Sequence, residues 1–265
     1  MWDSGYMAER WEKRNRPIDG WRYHNDHGFY FGDVRSRAYH VYITDMRVFG
    51  TPEKDITFQS VAGRNGDITF DNKRMNNIDV VYSCLIPTDF RRYYAAFVNA
   101  LHRYSGYQKL VDTAEDGVFR MAVMRGEIEP TVIRRGNGGT FDVRFTCKPQ
   151  KFLESGTYAH TLTETPATLY NHDGGIALPL ITVYGTGPGK FTINDITVDI
   201  LALTDQITLD CDLMTAYRQV GDAAAENKNA DIYAPEFPVL GYDENIITWD
   251  GGITHVDIVP RSWRV

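Results

Sequence analysis

Short segments rich in β-branched and aromatic residues recur along the chain, and turn residues separate them. In the second half of the chain, residues 191–198 carry Asn194 and Asp195 at their centre, between two apolar stretches. This pattern is typical of a β-hairpin with a two-residue turn. Closely spaced strands without intervening helices predict an antiparallel β-sandwich for this half.

Three further segments of the second half belong to the same predicted sandwich. Residues 176–184 are almost continuously apolar, so we expect a strand that is buried on both faces. Residues 206–211 are expected to add another strand. Residues 246–249 are expected to pair with residues 253–259 across a turn that contains two glycines.

One helix is predicted in the first half, over residues 89–105, between strand-like residues 78–86 and 118–128. Thr88 or Asp89 is expected to cap its start, and Gly106 is expected to end it. Apolar side chains recur there at helical spacing, namely Phe90, Tyr93, Tyr94, Phe97, Val98, Leu101 and Tyr104. The predicted fold class is therefore mainly β with one prominent helix, and a sandwich-like β-structure is expected in this half too.

Charge divides the chain into two unlike halves. The formal net charge is −7, but residues 1–152 carry 23 Lys and Arg against 19 Asp and Glu, whereas residues 153–265 carry 5 against 16. This asymmetry predicts two domains, 1–152 and 153–265, with Pro149 close to their boundary. Polar, Arg-rich residues 1–27 are expected to form an extended arm. The acidic second half argues against sequence-specific binding of nucleic acid.

The composition excludes several other classes of protein. Cys84, Cys147 and Cys211 are scattered and odd in number, so we expect buried free thiols rather than a disulfide framework or a zinc site. No run of apolar residues is long enough to span a membrane, and no membrane partner is expected. The first residues lack the pattern of a signal peptide, which predicts synthesis and assembly in a cytosol-like compartment.

The sequence contains no catalytic constellation, so no enzyme, metal or cofactor is predicted. Residues 185–190 are glycine-rich like a phosphate-binding loop, but Phe191 stands where a Ser or Thr would hold magnesium, which favours a strand connection. His24 and His27, with Asp26 between them, could contribute to a metal site, but no further ligand follows at a recognisable spacing. No Ser or Cys has the setting of a nucleophile.

Five segments, in the same order along the chain, resemble motifs of one protein family. They are the loop at residues 61–67, residues 107–112 after the helix, residues 145–152, residues 177–185, and the Pro-Arg-Ser-Trp ending at residues 260–263. Together they resemble the distal tail protein (Dit) family of long-tailed bacteriophages. Ala62 stands where the family commonly has Pro, and the arm before Gly28 is longer than is usual.

The resemblance implies a structural hub of a phage tail tip or baseplate. Its first domain would form a hexameric ring with its β-structure, its helix and a protruding hairpin, and its second domain would be a galectin-like β-sandwich. Such a ring would join the tail tube protein to the tail-tip and receptor-binding proteins, and DNA would pass through its lumen. The protein would be assembled in the host bacterial cytoplasm and reside in the virion. The exposed, glycine-containing loop Gly63, Arg64, Asn65 and Gly66 is our candidate oligomer interface.

Two other functions stay open at the level of sequence. A carbohydrate-binding module would use exposed aromatic side chains, for which Tyr158, Tyr170, Tyr184 and Trp249 are candidates. A glycan-cleaving enzyme would need a pair of carboxylates across a cleft. Glu127 and Glu129, two residues apart on an expected strand, are the candidate pair.

Overall fold

A computed structural model describes residues 28–133, 137–172, 174–220 and 224–265. The predicted arm over residues 1–27 lies outside the described residues, and so do His24, Asp26 and His27.

The described residues form one α-helix and many short strands. In chain order they are β1 (Tyr30–Phe31), β2 (Val34–Arg35), β3 (Tyr42–Arg47), β4 (Lys54–Gln59), β5 (Ile68–Met75), β6 (Ile78–Ile86), α1 (Phe90–Leu101), β7 (Gln108–Val111), β8 (Val118–Met124), β9 (Thr131–Ile133), β10 (Gly138–Leu153), β11 (His160–Leu162), β12 (Ala167–Asn171), β13 (Leu180–Thr186), β14 (Gly189–Ile193), β15 (Ile196–Ile200), β16 (Thr204–Asp210), β17 (Thr215–Val220), β18 (Ala224–Asn227), β19 (Ile232–Tyr233), β20 (Asp243–Trp249), β21 (Ile253–Val259) and β22 (Trp263–Arg264). The predicted mainly-β fold class with one prominent helix is confirmed.

The first half is built on one curled, antiparallel sheet of nine strands with the path β2-β1-β7-β8-β10-β6-β3. Its core is aromatic: the ring of Phe29 stacks on that of Tyr82 at 4.8 Å and meets the edge of Phe145 at 5.4 Å. Alternate residues of β6 point into this core, as expected of a strand with one buried face. Helix α1 covers it with Phe97, whose ring lies 6.1 Å from that of Phe29.

Helix α1 is shorter than the predicted residues 89–105. It ends at Leu101 because Tyr104 turns away to contact the ring of Phe31 at 5.6 Å and to hydrogen-bond with Asp33. The predicted side-chain cap is also wrong, since Asp89 makes no capping hydrogen bond. The N–H of Phe90 instead donates to the carbonyl oxygen of a neighbouring turn, 3.0 Å away.

The second half is an antiparallel β-sandwich. One sheet has the order β11-β21-β13-β16-β17-β18 and the other β12-β20-β14-β15-β19. Buried aliphatic and aromatic side chains from both sheets meet between them, among them Ile181, Ile207, Phe191 and Ile247. The predicted hairpin at Asn194 joins β14 to β15 and is confirmed.

Two strand predictions in this half are wrong. Strands β20 and β21 lie in different sheets instead of pairing with each other. Their connection crosses between the sheets beside the turn from β13 to β14, where the N–H of Thr186 donates to the carbonyl oxygen of Gly252 at 2.9 Å. Residues 176–184 are not buried on both faces, because Ile176 is 60% exposed and burial alternates along β13.

Strand β10 continues through Pro149, where the sequence predicted the end of the first half. Its pairing with β8 shifts register between Cys147 and Lys151, and such bulges tolerate a proline that cannot donate to the ladder. The C-terminal strand β22 returns to β10 and pairs Trp263 with Phe152. The buried apolar residues form two clusters, one in each half, while the proposed domain boundary stays a prediction.

All three cysteines are free and buried, as predicted. Burial raises the pKa of each thiol, of Cys84, Cys147 and Cys211, to about 12, so these thiols are unreactive near neutral pH. In the part of the chain that the structure describes, no helix is both long and apolar enough to cross a membrane.

Candidate functional site

The candidate interface loop lies at the tip of a hairpin made by β4 and β5. These two strands form a two-stranded sheet of their own, separate from the other sheets of the described chain. Every residue from Val61 to Asp67 is exposed. The structure therefore places the four candidate residues, Gly63, Arg64, Asn65 and Gly66, together on a protruding element.

The glycines of this loop are required by backbone geometry. Gly63 and Gly66 have φ angles of +77° and +81°, which residues with a Cβ adopt only at a cost. A Cβ at either position would meet nothing within 4 Å, so steric space is not the reason. A hydrogen bond of 3.2 Å from the N–H of Arg64 to the carbonyl oxygen of Val61 closes the first turn.

The hairpin exposes apolar side chains on both of its faces. Thr57 pairs with Phe70, and Phe58 pairs with Thr69, so the two phenylalanines lie on opposite faces. Phe58 is 63% exposed and Phe70 is 51% exposed. A two-stranded hairpin is marginally stable in water, and exposed aromatic side chains on both faces are suited to burial between other surfaces.

Charged side chains stabilise the base of the hairpin. Asp55 accepts hydrogen bonds from Arg74 at 2.6 Å and from Asn72 at 3.0 Å. These bonds, that from Arg74 first, hold the pKa of the Asp55 carboxyl below its usual value. The hairpin is thus ionically cross-linked while its apolar side chains stay exposed.

Sequence reasoning found the loop but missed the two-sided apolar surface. The alternation of Ile56 with Phe58, and of Ile68 with Phe70, was visible in the sequence. Alternation alone predicts one buried face for each strand. Only the pairing register reveals that Phe58 and Phe70 face opposite ways.

The two carboxylates considered for catalysis lie in a loop beside an open cleft. Glu127 and Glu129 lie in the connection between β8 and β9, not on a strand as predicted. They line an open cleft with Asp142 and several hydroxyl side chains. Within the described residues, no group of three or more His, Cys, Asp or Glu side chains is placed to hold a metal ion.

The glycine-rich residues 185–190 form the end of β13, a turn and the start of β14. A Cβ on Gly185 would lie 2.0 Å from the carbonyl oxygen of Gly252. Glycine is therefore needed here for close packing of two backbones, in agreement with the predicted strand connection.

The four aromatic residues considered for carbohydrate binding do not converge. Trp249 is only 8% exposed and belongs to the core of the sandwich. Tyr170 is on the outer face of the five-stranded sheet, whereas Tyr184 is on the six-stranded sheet and stacks on His255 at 4.4 Å. Tyr158 is exposed beyond the end of β10. These side chains do not form one sugar-binding platform.

Comparison with known proteins identifies the architecture through structure and not through sequence. No protein-family model matches the chain, and no curated protein matches its sequence significantly. The crystal structure of the Dit protein of phage SPP1, presented as a paradigm of the hub of the adsorption apparatus in phages of Gram-positive bacteria, superposes with a TM-score of 0.69. The match covers 87% of this chain and 97% of the SPP1 chain at 10% sequence identity. The chain has the Dit fold.

Two structures of the phage p2 baseplate in its activated conformation, with strontium and with calcium, are more distant. Their TM-scores are 0.48 and 0.47, at 9% and 8% identity, and each match covers 83% of this chain. The match to the SPP1 protein spans most of both chains, so the Dit fold accounts for both halves of this protein together. The resemblance detected in the five sequence motifs is confirmed at the level of the fold.

Proposed function

We propose that this protein is a member of the Dit family and a structural hub of a phage tail tip or baseplate. The observation that carries the proposal is the agreement with the SPP1 Dit fold over 87% of this chain and 97% of that one. A fold alone does not determine function. The five family-like sequence motifs, which were recognised independently of the structure, add a second line of support.

The hub forms a closed ring of six copies, as the family resemblance implies. The β4–β5 hairpin supports this proposal, because it projects exposed Phe58 and Phe70 from opposite faces. A head-to-tail ring buries such an element in every copy and leaves no copy with a free end. Neighbouring copies would also cover the edges of the hairpin, which otherwise invite uncontrolled strand pairing. Residues 63–66 are part of this contact.

The ring joins the tail tube protein to the tail-tip and receptor-binding proteins, and DNA passes through its open centre. The protein acts by binding and not by catalysis, and it is assembled in the host cytoplasm before it resides in the virion. The first half forms the ring and the second half presents its sandwich to the surrounding proteins.

Immunogold labelling of intact phage particles tests this location. An antibody raised against the purified chain should label one end of the tail, at the junction of tube and tip. Particles that carry no label, although the same antibody detects the chain in lysates, would contradict the proposal. An antibody against the tail tube protein provides the control, because it should label the tube along its length in partly disassembled particles.

A further inference from the structure

A groove at the base of the β4–β5 hairpin is lined by basic side chains, and we name it the basic groove. It lies between β5 and the middle of β10, and its charged lining residues are Lys54, Asp71, Lys73, Arg74 and Lys148. Arg74 pairs with Asp55 and Lys73 pairs with Asp71, so Lys54 and Lys148 supply the net positive charge of the groove. Net positive charge in a concave surface attracts acidic groups.

Two β-bulges face each other across this groove. On β5, residues 72–74 stand opposite the single residue Asp55. On β10, residues 148–150 stand opposite a single residue of β8. Bulges re-aim side chains and occur preferentially beside functional sites. Each bulge here contributes a lysine, Lys73 or Lys148, to the groove.

The backbone at Lys73 is held in an unusual conformation. Its φ angle is +58°, in the left-handed region that non-glycine residues seldom occupy. The carboxylate of Asp71 accepts a hydrogen bond of 2.8 Å from the backbone N–H of Lys73, and this bond fixes the conformation. A residue held in such a conformation is a reason to look for a function.

The groove also offers aromatic surface and free charge. The rings of Tyr107 and Trp263 are part of its lining, and the ammonium of Lys148 lies 5.5 Å from the centre of the Tyr107 ring. Neither Lys54 nor Lys148 forms an ion pair with a carboxylate among the described residues. Cations beside aromatic rings are suited to an acidic partner that also carries aromatic side chains.

A surface with the complementary chemistry lies on the acidic second half. The turn before β20 exposes 70% of Tyr242, next to Asp243 and Glu244. On the adjoining face of the five-stranded sheet, Tyr170 is 53% exposed and Ile246 is 52% exposed. We name these five residues the Tyr242 patch.

Buried hydrogen bonds make the Tyr242 patch rigid. Asn245 is fully buried, and its side-chain oxygen accepts a hydrogen bond of 2.7 Å from the N–H of Gly241. Its side-chain amide donates to the carbonyl oxygens of Gly241 and Asp243 at 3.2 and 3.1 Å. Asp243 is held at a φ angle of +68°. A tyrosine displayed on a fixed turn loses little entropy on binding and is a frequent centre of an interface.

We propose that the Tyr242 patch of one copy binds in the basic groove of a second copy of this chain. The inference rests on the proposed ring, because a head-to-tail contact needs two different, complementary surfaces on the same subunit. The two surfaces are opposite in charge, and both carry aromatic side chains. The contact is additional to the ring contacts of the first half, and it places the acidic second half of one subunit against the hairpin base of the next.

Site-specific cross-linking tests which surfaces meet. One batch of protein carries Tyr242→Cys and the other carries Lys148→Cys with a different affinity tag, and the two are mixed with a short bis-maleimide. The three natural cysteines are at most 2% exposed, so they do not react. We expect a covalent dimer that carries both tags. Glu164→Cys, in the exposed connection between β11 and β12, is the matched control and should give none with Lys148→Cys.

Charge reversal tests the energetics of the same contact. Glu244→Lys and Lys148→Glu should each weaken self-association by roughly tenfold or more in sedimentation velocity, because like charges then face each other. A mixture of the two variants should associate like the wild type. Glu164→Lys, the same change of charge as Glu244→Lys but in the exposed connection between β11 and β12, should have no effect.

The outcomes separate this inference from the proposed function. If the wild type forms rings, but neither reversal weakens them and the cysteine pair reacts no more than its control, the contact is wrong and the hub proposal stands. If the wild type forms no assembly alone or with its neighbouring tail proteins, the hub proposal fails and the contact fails with it.

Discussion

Single buried polar residues fix the geometry of turns in ways that the sequence does not reveal. Asn245 is completely buried, and its side-chain oxygen accepts hydrogen bonds from the N–H of Gly241 and the amide of Asn194. In the sequence it follows two acidic residues and precedes an apolar run, which is consistent with an exposed strand start. Its role depends on residues from a distant hairpin, so no local pattern could predict it.

Replacing Asn245 should therefore cost far more than replacing an exposed asparagine. Asn245→Ala leaves the N–H of Gly241 and nearby carbonyl groups without partners, and we expect a loss of about 2–3 kcal/mol in the free energy of unfolding. Urea denaturation followed by tryptophan fluorescence measures this loss. Asn72→Ala, which removes an exposed hydrogen bond to Asp55, should change it by less than about 0.5 kcal/mol. Equal effects of the two substitutions would contradict this account.

A second residue-scale prediction concerns the ion pair of Asp210 and Arg261, whose bonds measure 2.7 and 3.0 Å. Burial raises the pKa of Asp210, but hydrogen bonds from Arg261 and from the backbone outweigh burial and lower it overall. The stabilisation is therefore present above the unfolded pKa of about 3.9 and lost as pH falls through the lower folded value.

Asp210→Asn should consequently destabilise the protein at neutral pH, by about 2 kcal/mol. The difference from the wild type should begin to shrink below about pH 4, where the Asp210 carboxyl of the unfolded wild type takes up a proton, and should disappear as pH falls through the lower pKa of the folded state. Urea denaturation at a series of pH values from 7 to 3 measures it. A difference that stays constant over this series would show that Asp210 acts without its charge.

At the scale of elements, local signals were predictable and pairings between distant strands were not. Strand β6 was predicted with the observed bounds, and the hairpin at Asn194 was found from its turn residues. The helix was found from its apolar stripe, but its end was misplaced because Tyr104 contacts Phe31 from β1. Strands β20 and β21 were wrongly paired, since a short glycine-containing connection looks the same within a sheet and between sheets.

Close packing of the two crossing turns gives the element-scale prediction. A Cβ on Gly252 would lie 2.0 Å from the carbonyl oxygen of Thr186, so Gly252→Ala forces the backbones apart. We expect the free energy of unfolding to fall by about 3 kcal/mol or more. Gly187→Ala is the matched control, because Gly187 has a φ angle of +92° but open space around it. It should cost only about 1–2 kcal/mol, from backbone strain. The thermal unfolding midpoint orders the two variants, and a reversed order would contradict the packing.

At the scale of the whole molecule, the C-terminal residues connect the two halves. Strand β22 pairs with the end of β10, and the indole N–H of Trp263 donates to the carbonyl oxygen of Ile176 at 3.0 Å. The guanidinium of Arg264 lies 3.3 Å from one carboxylate oxygen of Glu115, and the ammonium of Lys151 lies 3.1 Å from the other. The charge asymmetry of the sequence predicted two halves, but nothing in the composition predicted that the last residues return to the first sheet.

Trp263→Ala should loosen this connection. We expect the two cores to unfold together in the wild type and at separate urea concentrations in the variant, because the variant loses both the indole hydrogen bond and the packing on Gly175. Hydrogen exchange with mass spectrometry resolves the cores separately. Trp263→Phe, which keeps an aromatic ring, should have a smaller effect. A variant whose cores still unfold together, at the wild-type urea concentration, would contradict this role.

The candidate interface was chosen from the sequence because an exposed, glycine-containing connection suits a subunit contact. Composition and spacing indicated an exposed, glycine-containing loop at Gly63 to Gly66, but not that this loop ends a hairpin with apolar side chains on both faces. Nor could they reveal the two bulges, since a bulge is defined by the register of two strands. The assignment of residues 63–66 to a subunit contact stays a prediction.

Class averages from electron microscopy of the purified chain, alone and mixed with the tail tube protein, test the hub proposal most directly. Native mass spectrometry on the same samples gives the number of copies. We predict rings with six-fold symmetry and an open centre, in one or both samples. Monomers in both samples would contradict the proposal that this protein is a ring-forming hub.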